Sequence, residues 1–282
     1  MPQPCTTTPD SKTTTVRAAA REEPEPATAR RRPERTAVHR RPERAAYDET
    51  TVHAVLDEAL FCHVGVVRDG APVVIPTIHA RDGRALCLHG SPAAGILRDA
   101  RRGVDVCVTV SIVDGLVLAR SAFHHSLNYR SVVIFGHAER VRDPRAKARA
   151  LDHIVEHVVP GRLPSLRPTS PAELRETEVL RLPLTEASAK VRTGPPIDAD
   201  EDLAFPVWAG VLPLITIPGV PLPDAHVAAT TALPAHAEHW ARPGTPGSAG
   251  EGAARSAVRR AGRDATLAGR PATGRQRADR RR

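Results

Sequence analysis

Leu118-Ala-Arg-Ser-Ala-Phe-His-His-Ser-Leu-Asn-Tyr-Arg-Ser-Val-Val-Ile-Phe-Gly136 joins two apolar, strand-like runs through an unusually polar middle. Arg120, Ser121, His124, His125, Ser126, Asn128, Tyr129, Arg130 and Ser131 bring two guanidinium groups, two imidazoles and four hydroxyls close together in sequence. Guanidinium forks and hydroxyls match phosphate oxygens, and the whole set suits an anion or a polar heterocycle. A solvated loop between strands is the plainer reading of the same residues. The order of elements on either side decides between the two.

Upstream lies a run of hairpin signals. Phe61–Val67 is apolar and β-branched, Asp69-Gly70 turns the chain into Pro72–His79, and Asp82-Gly83 turns it again into Ala85–His89. Asp-Gly between apolar runs marks tight hairpins, because the central positions of such turns need positive φ. Residues 46–58 precede this meander as a short helix with Val52, Val55 and Leu56 on one side. Ser91 is a good N-cap and Pro92 suits the first helical position, so a helix is expected over Pro92–Arg102. Val104–Ile112 then alternates apolar and polar, and a third pair, Asp114-Gly115, is read as a turn into Leu116–Ser121. Loop 122–130 and strand Ser131–Val141 follow. Five or six antiparallel strands with one inserted helix indicate a mainly β (α+β) fold, a small antiparallel split β-barrel with a few peripheral helices.

Downstream, Asp143-Pro144 opens a helix through about Val158, Ala172–Thr177 reads as a short helix and Val179–Leu184 as a strand. His153-Ile-Val-Glu156-His157 matches the His-x-x-Glu-His pattern of one zinc-peptidase class. On a helical wheel, however, Leu151, Ile154, Val155 and Val158 form the buried stripe, and both histidines fall opposite it. No third ligand is evident, and no metal is expected. Lys190 and Arg192 share a strand face and make a second small cationic spot.

The net charge of +8 belongs to the ends of the 282-residue chain. Residues 1–45 carry ten basic residues against six acidic, and 241–282 carry eleven against three, which leaves 19 basic and 23 acidic in between. Both ends lack large apolar residues and cannot offset chain entropy by burial, so 1–45 and 226–282 are read as disordered tails flanking a domain over 46–225. Neither tail interleaves aromatics with its arginines, which argues against specific nucleic-acid recognition. No secretory leader follows Met1 and no run approaches the ~18 apolar residues of a membrane span. Cys5, Cys62, Cys87 and Cys107 form no Cys-x-x-Cys pair and are expected as free thiols in a reducing cytoplasm.

Four stretches, taken in order, carry a family resemblance: Val-Ile-Pro-Thr-Ile-His-Ala (74–80), Leu-His-Gly-Ser (88–91), residues 119–136, and Val-Trp-Ala-Gly-Val-Leu-Pro-Leu (207–214). The chain resembles the pyridoxamine 5′-phosphate oxidase-like FMN-binding proteins, nearest the flavoprotein branch related to nitroimidazole reductases. The resemblance implies a homodimer with FMN in a cleft at the subunit interface. It places Pro76, Thr77 and Ile78 along the flavin ring and His89, Gly90 and Ser91 facing the cofactor, with His89 as a proton or hydrogen-bond donor. A capped helix start at Ser91 also suits a phosphate. Arg120 and Ser121 are next in line for the flavin's polar edge or phosphate, Tyr129, Arg130 and Ser131 complete that lining or sit at the dimer seam, and Trp208 packs against the partner's flavin. The implied function is an FMN-dependent oxidoreductase acting on a small, electron-poor or heterocyclic substrate; the alternative is a non-catalytic flavin carrier or sensor. The basic pair that true pyridoxamine-phosphate oxidases carry on the strand matching Pro72–His79 is missing, with His79 the only candidate cation there. This speaks against vitamin B6 oxidation. Relatives that bind haem or a deazaflavin also belong to this family.

Overall fold

The computed structural model describes residues 34–95 and 105–242. Among them, ten strands form one antiparallel sheet: β1 (Ala45–Ala46), β2 (Phe61–Arg68), β3 (Ala71–Asp82), β4 (Ala85–Gly90), β5 (Asp105–Leu118), β6 (Ser126–His137), β7 (Glu139–Arg140), β8 (Glu178–Pro183), β9 (Glu186–Arg192) and β10 (Gly210–Pro213). In space they run β1-β9-β6-β5-β2-β3-β4-β8-β7, with β10 added beside β5. The path has two ends and does not close, which is the split, β-dominated architecture expected. Four helices accompany it: α1 (Glu49–Glu58), α2 (Pro144–Val158), α3 (Pro171–Glu176) and α4 (Ala235–Glu238). Most of the helix expected over Pro92–Arg102, and the outer parts of both tails, lie outside the described residues. Among the described residues no helix is long and apolar enough to cross a membrane.

Two Asp-Gly pairs do what the sequence expects. At Asp69-Gly70 both residues have positive φ (50° and 79°) and β2 folds back on β3. Gly83 (φ 58°) supplies the positive φ of the next hairpin. The third pair does not turn. β5 runs straight through Asp114-Gly115 with a bulge between Val113 and Gly115. Here the glycine serves close approach: a Cβ on Gly115 would lie 3.0 Å from Leu212 O and Val211 Cγ1, so β10 can lie tightly against β5 only because that atom is absent. The loop after β5 is correspondingly shorter than expected. It spans 119–125 with a 3₁₀ turn at Ala122–His124, and β6 begins at Ser126.

α1 is capped by Asp48, whose side chain accepts from Thr51 N (2.8 Å), and it lays Val52, Val55 and Leu56 into the barrel. There they meet Val64, Val66, Leu86, Leu88, Val108, Val110, Ile134, Leu180 and Leu182, all essentially inaccessible. Each such side chain contributes about 1.5–3 kcal/mol through burial. α2 seats Ala150 and Ile154 on Ala80, Cys87 and Val179. Two histidines hold the end of α1: His79 Nε2 donates to Leu56 O (3.0 Å) and His157 Nε2 to Ala59 O (2.7 Å).

Residues 34–44, assigned to the tail on composition, are bound to the body through polar groups. Arg35 pairs with Glu186 and lies over Phe135 (5.5 Å), and Lys190 Nζ donates to Arg40 O (2.8 Å). Farther along, Trp240 Nε1 donates to Val158 O (2.8 Å). An apolar-pattern reading has no sensitivity to such ties.

Candidate functional site

Strand alternation separates two faces of the barrel wall. On β2, Cys62, Val64 and Val66 point inward while Phe61, His63 and Val67 point out. Phe61 stands opposite Ile78 and His63 opposite Pro76, and His63 in turn neighbours Thr109 of β5. His89 of β4 falls on the same outer face as Ile78, since β3 and β4 pair in register through His79↔Leu88. Pro76, Ile78 and His89 are thus brought together on one outer face, exposed at Pro76 and Ile78 and half-buried at His89. Thr77, between them, points to the other side. Gly90 ends β4, and the hydroxyl of Ser91 accepts from Ala93 N (3.2 Å). Sequence reading missed Phe61 and His63, although the alternation Phe61-Cys62-His63-Val64 carried the signal.

None of the eight aromatic side chains of the chain is in the buried core. Phe61 is 52% exposed, Phe123 90% and Trp208 69%. Large rings left outside an aliphatic core mark a surface made for another flat or apolar body.

His89 has its Nδ1 buried without a partner, and desolvation holds the imidazole below its ordinary pKa. It is therefore neutral at pH 7, able to offer one N–H and one lone pair. His79 cannot be the phosphate cation left open for it. It is fully buried, and desolvation, with the nearby His157, brings its pKa down to about 4.

The remaining residues singled out from sequence lie elsewhere. Arg120 meets an internal anion: its backbone N–H and Nη1 both donate to Asp198 (2.8 and 2.7 Å). Those bonds, the backbone one first, hold the Asp198 carboxyl below its usual range. Arg130 shares an inward row with Ile112, and its guanidinium is divided between Asp114 (2.7 and 2.9 Å) and Glu58 (2.9 Å, with a second, shorter contact). Tyr129 and Ser131 point the opposite way, beside Arg192 and Lys190. That cationic pair is spoken for: Arg192 binds Asn128 Oδ1 and the carbonyls of Gly194 and Pro195, and Lys190 is tied to Arg40.

A second cluster occupies the far end of β5. Ser121 Oγ lies 2.9 Å from His124 Nδ1, and His125 Nδ1 lies 2.9 Å from Ser121 O. Trp208 stands two residues before Gly210, which pairs with Leu118. Its indole covers Gly210 so closely that a Cβ there would come within 2.9 Å of the ring. The His-x-x-Glu-His stretch is engaged in structure. Glu156 accepts from Gly161 N (2.7 Å) and Leu163 N (2.9 Å), and His157 holds Ala59 O. Among the described residues no group of His, Cys, Asp or Glu is arranged to hold a metal ion on its own.

Comparison with known proteins matches this architecture. A search of curated proteins returned no match. The solved structure of the flavocytochrome Anf3 from Azotobacter vinelandii is 41% identical, covering 73% of this chain and 96% of that one, with a TM-score of 0.69. The FAD and heme binding protein from Mycobacterium smegmatis is 38% identical over 69% of this chain and 96% of its own, with a TM-score of 0.67. The family model for pyridoxamine 5′-phosphate oxidase matches residues 48–191, and this chain belongs to that family.

Proposed function

We propose that the protein binds a flavin and a haem and works as a redox protein in which electrons pass between the two. The carrying observation is the bare outer wall of β2 and β3, where Phe61, His63, Pro76 and Ile78 stand exposed, with half-buried His89 at its border, around a core that took no Phe, Tyr or Trp. The two relatives that this chain spans almost completely support the pairing, one a flavocytochrome and the other a protein that binds FAD and heme.

The residues present fit a flavin. Pro76 and Ile78 give an apolar floor for an isoalloxazine, Phe61 gives an edge, and His63 and His89 can donate to its polar atoms. When bound, the flavin supplies hydride or single-electron acceptance and the haem single-electron transfer. The protein positions the rings, excludes water from their faces and fixes hydrogen bonds at the flavin edge. FAD is favoured over FMN, because the relative whose name specifies its flavin binds FAD. Two copies joined over this wall would cover its apolar rows, as the resemblance implies. Cys62 and Cys87 are free thiols whose pKa values burial raises to about 12 and about 11, as suits a reducing cytoplasm.

The test is the absorption spectrum of the purified full chain, with released cofactors identified by mass. Flavin and Soret bands together, with FAD released, are expected; a colourless protein that takes up neither added cofactor overturns the reading. Reduction by NAD(P)H followed by reoxidation with small electron-poor acceptors separates an oxidoreductase from a carrier.

A further inference from the structure

A haem needs an axial donor, and the chain must supply it without a covalent tether, since it contains no Cys-x-x-Cys-His. An imidazole serves best when one ring N–H is held by a carbonyl or carboxylate and the other nitrogen faces outward with its lone pair free. The histidines differ in how they meet that condition.

His79 is sealed in the core. His157 borders a cavity of about 370 Å³ lined by Asp57, Arg81 and Glu156, too charged for an apolar macrocycle. The Nδ1 of His89 is enclosed without a partner. His124 Nδ1 faces a hydroxyl, which can donate or accept, so its tautomer is not set. His125 meets the condition. Ser121 O can only accept, so the 2.9 Å contact requires Nδ1–H on His125 and leaves Nε2 as the lone-pair nitrogen of an exposed side chain.

The ground beside His125 is apolar and bare. Leu127, two residues on, pairs with Leu116, and Leu116 pairs with Leu212, so the three stand in one exposed row. The Trp208 indole lies over Gly210 on the side where a Cβ would be, which is also the side of Leu212. Phe123 is almost wholly exposed on the same loop.

Resting on the flavin-and-haem reading, we infer that His125 is an axial ligand of the haem. Its Nε2 would hold the iron, with the tautomer set by Ser121 O, and Trp208 and the Leu116–Leu127–Leu212 row would offer the macrocycle an apolar seat. The flavin keeps the β2–β3 wall.

The experiment compares full-length wild type, His125→Gly and His63→Gly after loading with hemin, reading haem content, Soret and visible bands, and flavin content. His125→Gly should lose at least about tenfold in haem affinity, keep its flavin, and regain the wild-type bands on addition of free imidazole. A merely structural histidine gives no such rescue. If wild type loads haem and His125→Gly keeps the same bands, or if His63→Gly alone loses them, the ligand assignment is overturned while the two-cofactor reading stands. If wild type takes up no haem, that reading fails and the assignment with it. Equal apo-protein melting temperatures for His125→Gly and wild type are expected. A large drop, with no recovery of the bands by imidazole, counts against ligation.

Discussion

The inner and outer faces of the barrel wall are built from the same strands by opposite rules. Inside, Cys62, Val64 and Val66 of β2 meet aliphatic side chains from α1, β4, β5, β6 and β8, and the apolar cluster they form holds nothing larger than leucine. Outside, one residue away in each case, Phe61 and His63 stand in the open beside Ile78 and Pro76. The inner face accounts for why the chain folds, and the outer face has no account within a single chain. Stability and ligand binding should therefore respond to different substitutions on the same strands and their neighbours.

The largest stability effect belongs to the interior. Leu56→Ala, at a fully buried position under the barrel, should cost about 2–5 kcal/mol in urea denaturation. Phe61→Ala should change stability by about 0.5 kcal/mol or less and lower flavin occupancy instead. Comparable losses of stability in the two variants would erase the distinction between the faces.

Next comes a pH effect from the one interior histidine. His79 is held neutral with its pKa near 4, while in the unfolded chain it titrates at about 6.5. Between those values the unfolded state binds the proton and the folded state does not. Stability from this group is therefore present above pH 6.5, is lost as pH falls toward 4, and levels off below. The full span is about 3 kcal/mol. Desolvation is the main cause, His157 adds to it, and Leu56 O and Asp57 oppose it. His79→Gln keeps a donor for Leu56 O without titrating, so the pH slope of wild type minus variant should carry this step. Parallel profiles would mean that His79 is protonated without penalty.

The two faces differ also in how far they could be read from the sequence. The hairpins at Asp69-Gly70 and Gly83, the capped α1 and the alternation of β5 are local, and local chemistry was enough to find them. Asp114-Gly115 misled because a glycine can serve positive φ or close approach, and only the position of β10, nearly a hundred residues away, distinguishes the two. Pro76, Ile78 and His89 were singled out through family likeness, and strand register puts them on one face. Arg120 and Arg130 were marked for their charge, but their carboxylate partners Asp198 and Glu58 are remote in sequence. Pattern alone could not tell an internal ion pair from a ligand site. For His125 the sequence left ligand binding and loop polarity open, and the contact with Ser121 O that distinguishes it from His124 appears only in the fold.

Arg130 sharpens the contrast from the interior side. Its fork ties the end of α1, through Glu58, to the β5 bulge at Asp114. Glu58 is nearly buried, so Arg130→Met leaves its carboxylate with only the longer pair to Arg242 (4.0 Å) and should cost about 2–3 kcal/mol. Adding Glu58→Gln should recover part of that loss, as removing the stranded charge requires. Flavin content per folded molecule should be unchanged, and a specific loss of flavin would return Arg130 to the cofactor site.

The smallest effect tests where the two faces join. Gly115→Ala places a methyl 3.0 Å from Leu212 O and Val211 Cγ1, a gap that closes only if β10 moves outward by a few tenths of an ångström. About 1 kcal/mol of stability should be lost. Because β5 also pairs with β6 along most of its length, the loss should be confined to β10 and the loop that carries Trp208. Hydrogen exchange gives the discriminating readout: amides of Val211 and Leu212 should exchange faster while those of Val108 and Val110 stay protected. If β5 and β10 loosened together, the bulge would be a weak point of the barrel itself. If β10 alone loosened, the Trp208 surface would be a separable layer laid on a wall that folds without it.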